Sequence, residues 1–251
     1  MADLILSLLP PHKCYTEVFF GGGAVFFKKP ISEVEIINDI SDNMVNFYRV
    51  IKRNFEGLHD EIDVTLYSEF QYREARKLWL AGMGNDVLRA WAVYVLSHQS
   101  FSGNLGQSWA HSDTKNLAKK FDKEKKMFDQ RYVKRLANVQ IFCRDALSVL
   151  AACDGVDVFH FIDPPYFNAD MGHYDGYTES DFKELLNLLE TLEGKFMLTT
   201  YPSELLAEYT ARNGWHTINN EMHLTASNKP GKTKTEVFTM NYKPTTQAKL
   251  F

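Results

Sequence analysis

Six short stretches of the chain are almost continuously apolar and rich in β-branched and aromatic residues: TEVFF at 16–20, EVEIIND at 33–39, VQIFC at 139–143, VFHFID at 158–163, KFMLTT at 195–200 and TEVFTMNY at 235–242. A strand with one wet face alternates apolar and polar positions, whereas a strand covered on both faces does not. The stretches therefore predict a largely parallel sheet with helices on its faces. One such helix shows in the spacing of Phe182, Leu185, Leu186, Leu189 and Leu192, which share a face; Ser180 is placed to cap its start and Gly194 lies just past its end. Strand, helix, strand is the repeating unit of an α/β fold.

Between residues 43 and 136 this pattern stops and helical periodicity takes over. Ser68 and Gln71 have capping-box spacing ahead of a helix running to Leu80, and Asn85 precedes another that carries Val87, Leu88, Trp91 and Val95. The loop SFSGNLGQSWAHS at 100–112 follows, rich in Gly, Ser, Asn and Gln. The expected organisation is an α/β core built from residues 1–50 and 136–251, interrupted by a helical insertion over 51–135. A chain of 251 residues can bury a core of that kind.

With 45% hydrophobic and 24% charged residues the composition is that of an ordinary globular protein, and no apolar run approaches the ~20 residues of a membrane span. The start, MADLILSLLPPHK, lacks a basic leader and a small-residue cleavage site, so export is not expected. Cys14, Cys143 and Cys153 are odd in number and widely spaced, which points to a reducing cytoplasm and to neither disulfides nor a metal site. The net charge of −4 gives no overall basic footprint for a polyanion. The charge is uneven, however: residues 115–135 hold nine Lys and Arg against three acids, an excess of six. Lys115, Lys119, Lys120, Lys123 and Lys126 in that stretch suit either phosphate contacts or a solvated helix face.

Three features carry chemistry. The first is EVFFGGG at 17–23, a strand running into Gly21, Gly22 and Gly23 and then an apolar helix start. Glycines there allow a ligand close to the backbone, although a tight turn alone would also use them. The second is Asp39 after the next strand, where an acid accepts the hydrogen bonds of a ribose or caps a helix in competition with Ser41 and Asp42. Together the two suggest an adenosine-containing cofactor. The segment ASNKPGKT at 226–233 imitates a phosphate loop, but Ala226 replaces its first glycine and a strand, not a helix, follows. The third feature is Asp163 at the end of a buried strand, followed by Pro164, Pro165 and Tyr166. A carboxylate and a carbonyl fixed by prolines each accept one hydrogen of an NH2 group, and Tyr166 offers a face for a planar ring.

These motifs, EVFFGGG, INDI at 37–40, RDAL at 144–147, DPPY at 163–166 and the closing TEVFTMNY, resemble in order those of the Dam-like DNA adenine-N6 methyltransferases. The resemblance implies a doubly wound, Rossmann-like methyltransferase sheet, mostly parallel, with an antiparallel C-terminal hairpin strand and a helical target-recognition insertion. It implies S-adenosylmethionine as cofactor, lined by Glu17, Phe19, Gly21, Gly23 and Asp39, with Asp145 near its adenine. Asp163, Pro164, Pro165 and Tyr166 would hold the target base. Double-stranded DNA is the implied partner, gripped through the insertion and its lysines by a cytoplasmic monomer of bacterial or phage origin. Related motifs also serve cytosine-N4, RNA and protein-glutamine methyltransferases, and a catalytically silent DNA-binding homologue is the reading of another class. The family's N-terminal Gly-Gly-Lys stretch has no counterpart in MADLILSLLPP, which leaves Lys13 as the nearest basic candidate for the cofactor's carboxylate.

Overall fold

A computed structural model describes residues 1–101, 105, 107–168, 176–223 and 233–244. The chain divides into two compact units, Met1–Ile40 with Gln140–Phe251, and Ser41–Val139. Most of ASNKPGKT and four residues of the 100–112 loop lie outside the described residues.

The first unit is built on one seven-stranded sheet of order β3-β2-β1-β4-β5-β7-β6. Its strands are β1 (Cys14–Glu17), β2 (Val34–Asn38), β3 (Gln140–Phe142), β4 (Val158–Ile162), β5 (Lys195–Thr200), β6 (His216–His223) and β7 (Thr233–Met240). The first five run parallel, and β7 lies antiparallel to both β5 and β6. The six apolar stretches thus form the mostly parallel, doubly wound sheet. The seventh strand, β6, has the polar sequence HTINNEMH at a sheet edge, and so carries no buried-strand signal.

Helix α1 (Ala2–Leu8), α8 (Ala146–Ala152), α9 (Glu179–Leu189) and α10 (Glu204–Asn213) belong to this unit. Phe182, Leu185, Leu186 and Leu189 of α9 are buried with Phe196 and Leu198 of β5 in the main apolar cluster. The caps differ from expectation. Thr178, not Ser180, caps α9, in a reciprocal box with Asp181. Gly194 is required by contact, since a Cβ there would come within 2.9 Å of Asp154 and 3.0 Å of the His160 ring. The helix expected after Gly23 is only a run of turns: Phe27 and Lys29 bond back to Gly23 and Val25, and Pro30 disfavours a helical Lys29. Strand β1 likewise ends at Glu17, three residues before the apolar stretch does.

The second unit contains α2 (Asp42–Arg53), α3 (Phe55–Asp63), α4 (Glu69–Ala81), α5 (Asp86–Gln99), α6 (Leu117–Met127) and α7 (Arg131–Arg135). Residues 90–96 of α5 are buried on every side, and α2, α3 and α4 pack around it. Asn85 caps α5 as its spacing predicts. Ser68 does stand at the N-cap of α4, but makes no side-chain cap, because Gln71 reaches instead to the Leu66 amide.

Candidate functional site

The strand order reverses between β1 and β4, and in a doubly wound sheet the crevice at such a point opens beyond the carboxyl ends of the strands. The register pairs Glu17 with Phe161, so the two strands end at one level and deliver the glycine turn and Asp163 to the same rim. Asn38, buried at the end of β2, holds that rim together. Its side-chain amide donates to the carbonyls of Val18 and Arg144 and its oxygen accepts the Arg144 amide, which ties the exits of β1, β2 and β3. The only hint of this clamp in the sequence is one amide at the end of the apolar run EIIN.

Gly21 and Asp39 are brought together directly: the Gly21 amide donates to Asp39 Oδ2 at 2.9 Å. Gly21 and Gly23 both have left-handed backbone, φ +47° and +60°. A Cβ on Gly21 or Gly22 would meet nothing within 4 Å, whereas one on Gly23 would fall 2.4 Å from the Phe20 ring. The first two glycines therefore face open space and the third is required by packing. Glu17 is buried and accepts the Tyr15 hydroxyl at 2.7 Å. Phe19 meets Tyr177 edge-on at 6.4 Å. Asp145 caps α8, accepting the Ser148 amide at 2.9 Å. Lys13 precedes β1 and pairs with Asp157 ahead of β4, at the amino ends of the strands. It stands at the opposite end of the sheet from the glycine turn.

Around Asp163 the side chains converge. Thr199 Oγ1 donates to Asp163 Oδ1 at 2.6 Å and the Tyr166 hydroxyl to the same oxygen at 3.1 Å. Thr199 arrives because Ile162 pairs with Leu198, so the next residue of β5 lies beside the next residue of β4. Asp163 is solvent-exposed at this rim; desolvation by the protein around it nevertheless pushes its pKa above the usual carboxylate range, against the pull of the two hydroxyl donors. Pro164 is buried, and among the described residues no donor reaches its carbonyl. Phe167 stacks on Phe182 at 5.1 Å and Asn168 donates to the Pro202 carbonyl, fixing the loop that presents Tyr166. The Tyr166 ring meets Tyr201 at 4.5 Å, interplanar angle 71°. Thr199 and Tyr201 were not legible as site residues, since the one is a polar position in a core strand and the other an aromatic just past its end.

The helical unit presents a second surface. The stems of the 100–112 loop form a short antiparallel pairing, with Phe101 donating to Ser108 and Ala110 to Gln99. Gln99, fully buried, donates to the Leu66 carbonyl and accepts from the Ser68 amide and the Trp109 indole. Tyr67 donates to the Ala110 carbonyl and Tyr72 to that of Gln107. Lys115 and, on α6, Lys119, Lys120, Lys123 and Lys126 are all exposed. Lys126 pairs with Asp122 and Lys120 with Glu124, while Lys119 and Lys123, one helical turn apart, make no ion pair among the described residues.

A family model described as D12 class N6 adenine-specific DNA methyltransferase matches residues 1–224. The chain belongs to this family. Among curated members, the chain is 26% identical to the DNA N-6-adenine-methyltransferase of Escherichia phage P1 over 72% of its own length and 24% of that protein. It is 26% identical to the type II methyltransferase M.MjaIII of Methanocaldococcus jannaschii over 68% of its length and 65% of that protein. The chain therefore spans about a quarter of the one relative and under two thirds of the other. Solved structures are more distant. A precorrin 8w decarboxylase of Methanobacterium thermoautotrophicum matches at 12% identity and TM-score 0.42, over 95% of this chain and 87% of that one. A SAM-dependent methyltransferase of Agrobacterium tumefaciens matches at 11% and 0.42, over 95% and 58%. Among the described residues no helix is long and apolar enough to cross a membrane.

Proposed function

We propose that this chain transfers a methyl group from S-adenosylmethionine to the N6 amino group of an adenine turned out of double-stranded DNA. The observation that carries the reading is the Asp163 carboxyl, anchored through one oxygen by Thr199 and Tyr166 at the rim that also bears the glycine turn. Family membership favours adenine in DNA over cytosine N4, RNA or a protein glutamine, whose amino groups the same pocket chemistry would suit.

An adenine amino group is a weak nucleophile because its lone pair is delocalised into the ring. Asp163 and the Pro164 carbonyl accept its two hydrogens and favour the pyramidal nitrogen in which the lone pair is free. The Asp163 carboxyl is also placed to take the proton that the nitrogen sheds. Tyr166 supplies a stacking face that offsets part of the roughly few kcal/mol spent on unstacking the nucleotide. Bound S-adenosylmethionine supplies an electrophilic methyl on a sulfonium. The open faces of Gly21 and Gly22 fit a group of that size, and Glu17, Phe19, Gly21, Gly23, Asp39 and Asp145 are the residues that would hold it. Residues 51–135 serve as the target-recognition insertion, with the 100–112 loop and the lysines from Lys115 to Lys126 toward DNA. Sequencing the DNA of cells that express the chain tests the reading: N6-methyladenine at a recurring short sequence is expected, and unmodified DNA from cells with folded protein overturns it.

A further inference from the structure

Glu236 lies on β7 next to Val237, which pairs with Thr200, so β7 carries it to the level of Tyr201 just beyond the end of β5. It is only 6% exposed, and its Oε2 is buried with no hydrogen-bond partner among the described residues. An unsatisfied carboxyl in that position is costly, and packing alone would be served by any apolar strand residue. The groups that bear on it electrostatically are the Asp163 carboxyl from the end of β4, the amino group of Met1 and the Tyr166 hydroxyl; Asn220, opposite on β6, is neutral. Burial first and Asp163 second push its pKa up to about 7.

Two interacting carboxyls, one of them buried, disfavour both carrying charge. Both carboxyls are raised by desolvation, and the distribution of donors favours leaving the charge on Asp163. Asp163 receives both Thr199 and Tyr166, which favour its ionised form, while Oε2 of Glu236 has no donor among the described residues. We propose that Glu236 is a positioning residue of the target-base pocket: as a neutral acid it donates to the Tyr166 oxygen, which turns the Tyr166 hydrogen onto Asp163 and keeps a single negative charge beside the base. When Glu236 ionises, a second carboxylate competes for the Tyr166 hydrogen and the Asp163 anchor is weakened. The role rests on the reading of this pocket as an amino-methylating site; the shared proton does not.

The test uses wild type, Glu236→Gln and Glu236→Ala. In ligand-free protein, an acid whose folded pKa lies above its unfolded one stabilises the fold at low pH and loses that contribution as pH rises from about 4.5 to about 7. The melting temperature of wild type should therefore fall across that window relative to Glu236→Gln; parallel curves overturn the proposal. In methyl transfer to duplex DNA, wild type should lose rate above about pH 7, and Glu236→Ala should be slower by up to about tenfold, the size of one hydrogen bond between neutral groups. Glu236→Gln should regain most of that loss and abolish the alkaline fall, since an amide donates without ionising. A Glu236→Gln profile superimposable on wild type overturns the role. If wild type methylates no adenine, the amino-methylation reading fails, and the melting curves still decide the shared proton.

Discussion

The two units present their surface chemistry by opposite means. In the α/β unit Asp163 and Asp39 follow directly on parallel strands and Gly21 lies four residues past one, and the ladder of β1, β2 and β4 sets the heights from which they start. In the helical unit the paired stems of the 100–112 loop are held down by side chains: Tyr67 and Tyr72 donate to its carbonyls at Ala110 and Gln107, and Gln99 accepts the Trp109 indole. A group at a strand end inherits its position from main-chain bonds that every residue can make. A loop held by side chains depends on a few specific residues distant in sequence, so it can change from one chain to another without disturbing the fold.

The comparison breaks most sharply at Asp163. Asp163→Ala should lower methyl transfer by on the order of a thousandfold while the melting transition stays near wild type, because the residue serves the crevice and not the core. A comparable fall in stability would move Asp163 into the scaffold. Next come the glycines. Gly23→Ala forces a Cβ against the Phe20 ring at a left-handed φ and should cost about 2–4 kcal/mol by denaturant unfolding, whereas Gly22→Ala should cost under about 1 kcal/mol. Equal costs would mean that the turn is not held as described.

In the helical unit, Gln99→Leu leaves the Leu66 carbonyl and two donors without their buried partner, and should cost about 2–3 kcal/mol. Calorimetry with S-adenosylmethionine should be unchanged and DNA affinity, read by fluorescence anisotropy, should fall; loss of both would show that the units do not divide the work. Tyr166→Phe keeps the ring and removes one of the two donors to Asp163, so a rate loss of up to about tenfold is expected, with Tyr166→Ala far worse. The smallest effect is the most specific: Lys119→Gln with Lys123→Gln should reduce the salt slope of DNA binding by about two units. An unchanged slope assigns α6 to solvent.

The strands and the DPPY group were legible because burial on both faces and a carboxylate at a strand end leave local marks in the sequence. Edge strand β6 was not, since its residues are mostly polar, nor was the missing helix after Gly23, where Pro30 and the aromatic packing of Phe20, Phe26 and Phe27 override an apolar pattern. At the candidate site the sequence shows Asp163 and Tyr166 but not Thr199 or Glu236, which become neighbours only through the pairing of β4 with β5 and of β5 with β7. Asn38 and Gln99 show why single buried amides are hard to read: each acts by joining segments that only the fold brings together.

The most direct test of the central claim is a product analysis. Purified protein is incubated with methyl-labelled S-adenosylmethionine and duplex DNA, the DNA is digested to nucleosides, and these are separated by mass spectrometry, with Asp163→Ala run in parallel. Label in N6-methyladenine for wild type, and none above background for Asp163→Ala, is the predicted result. Label in cytosine instead, or undiminished label in adenine from Asp163→Ala, would contradict a pocket in which Asp163 activates an adenine amino group.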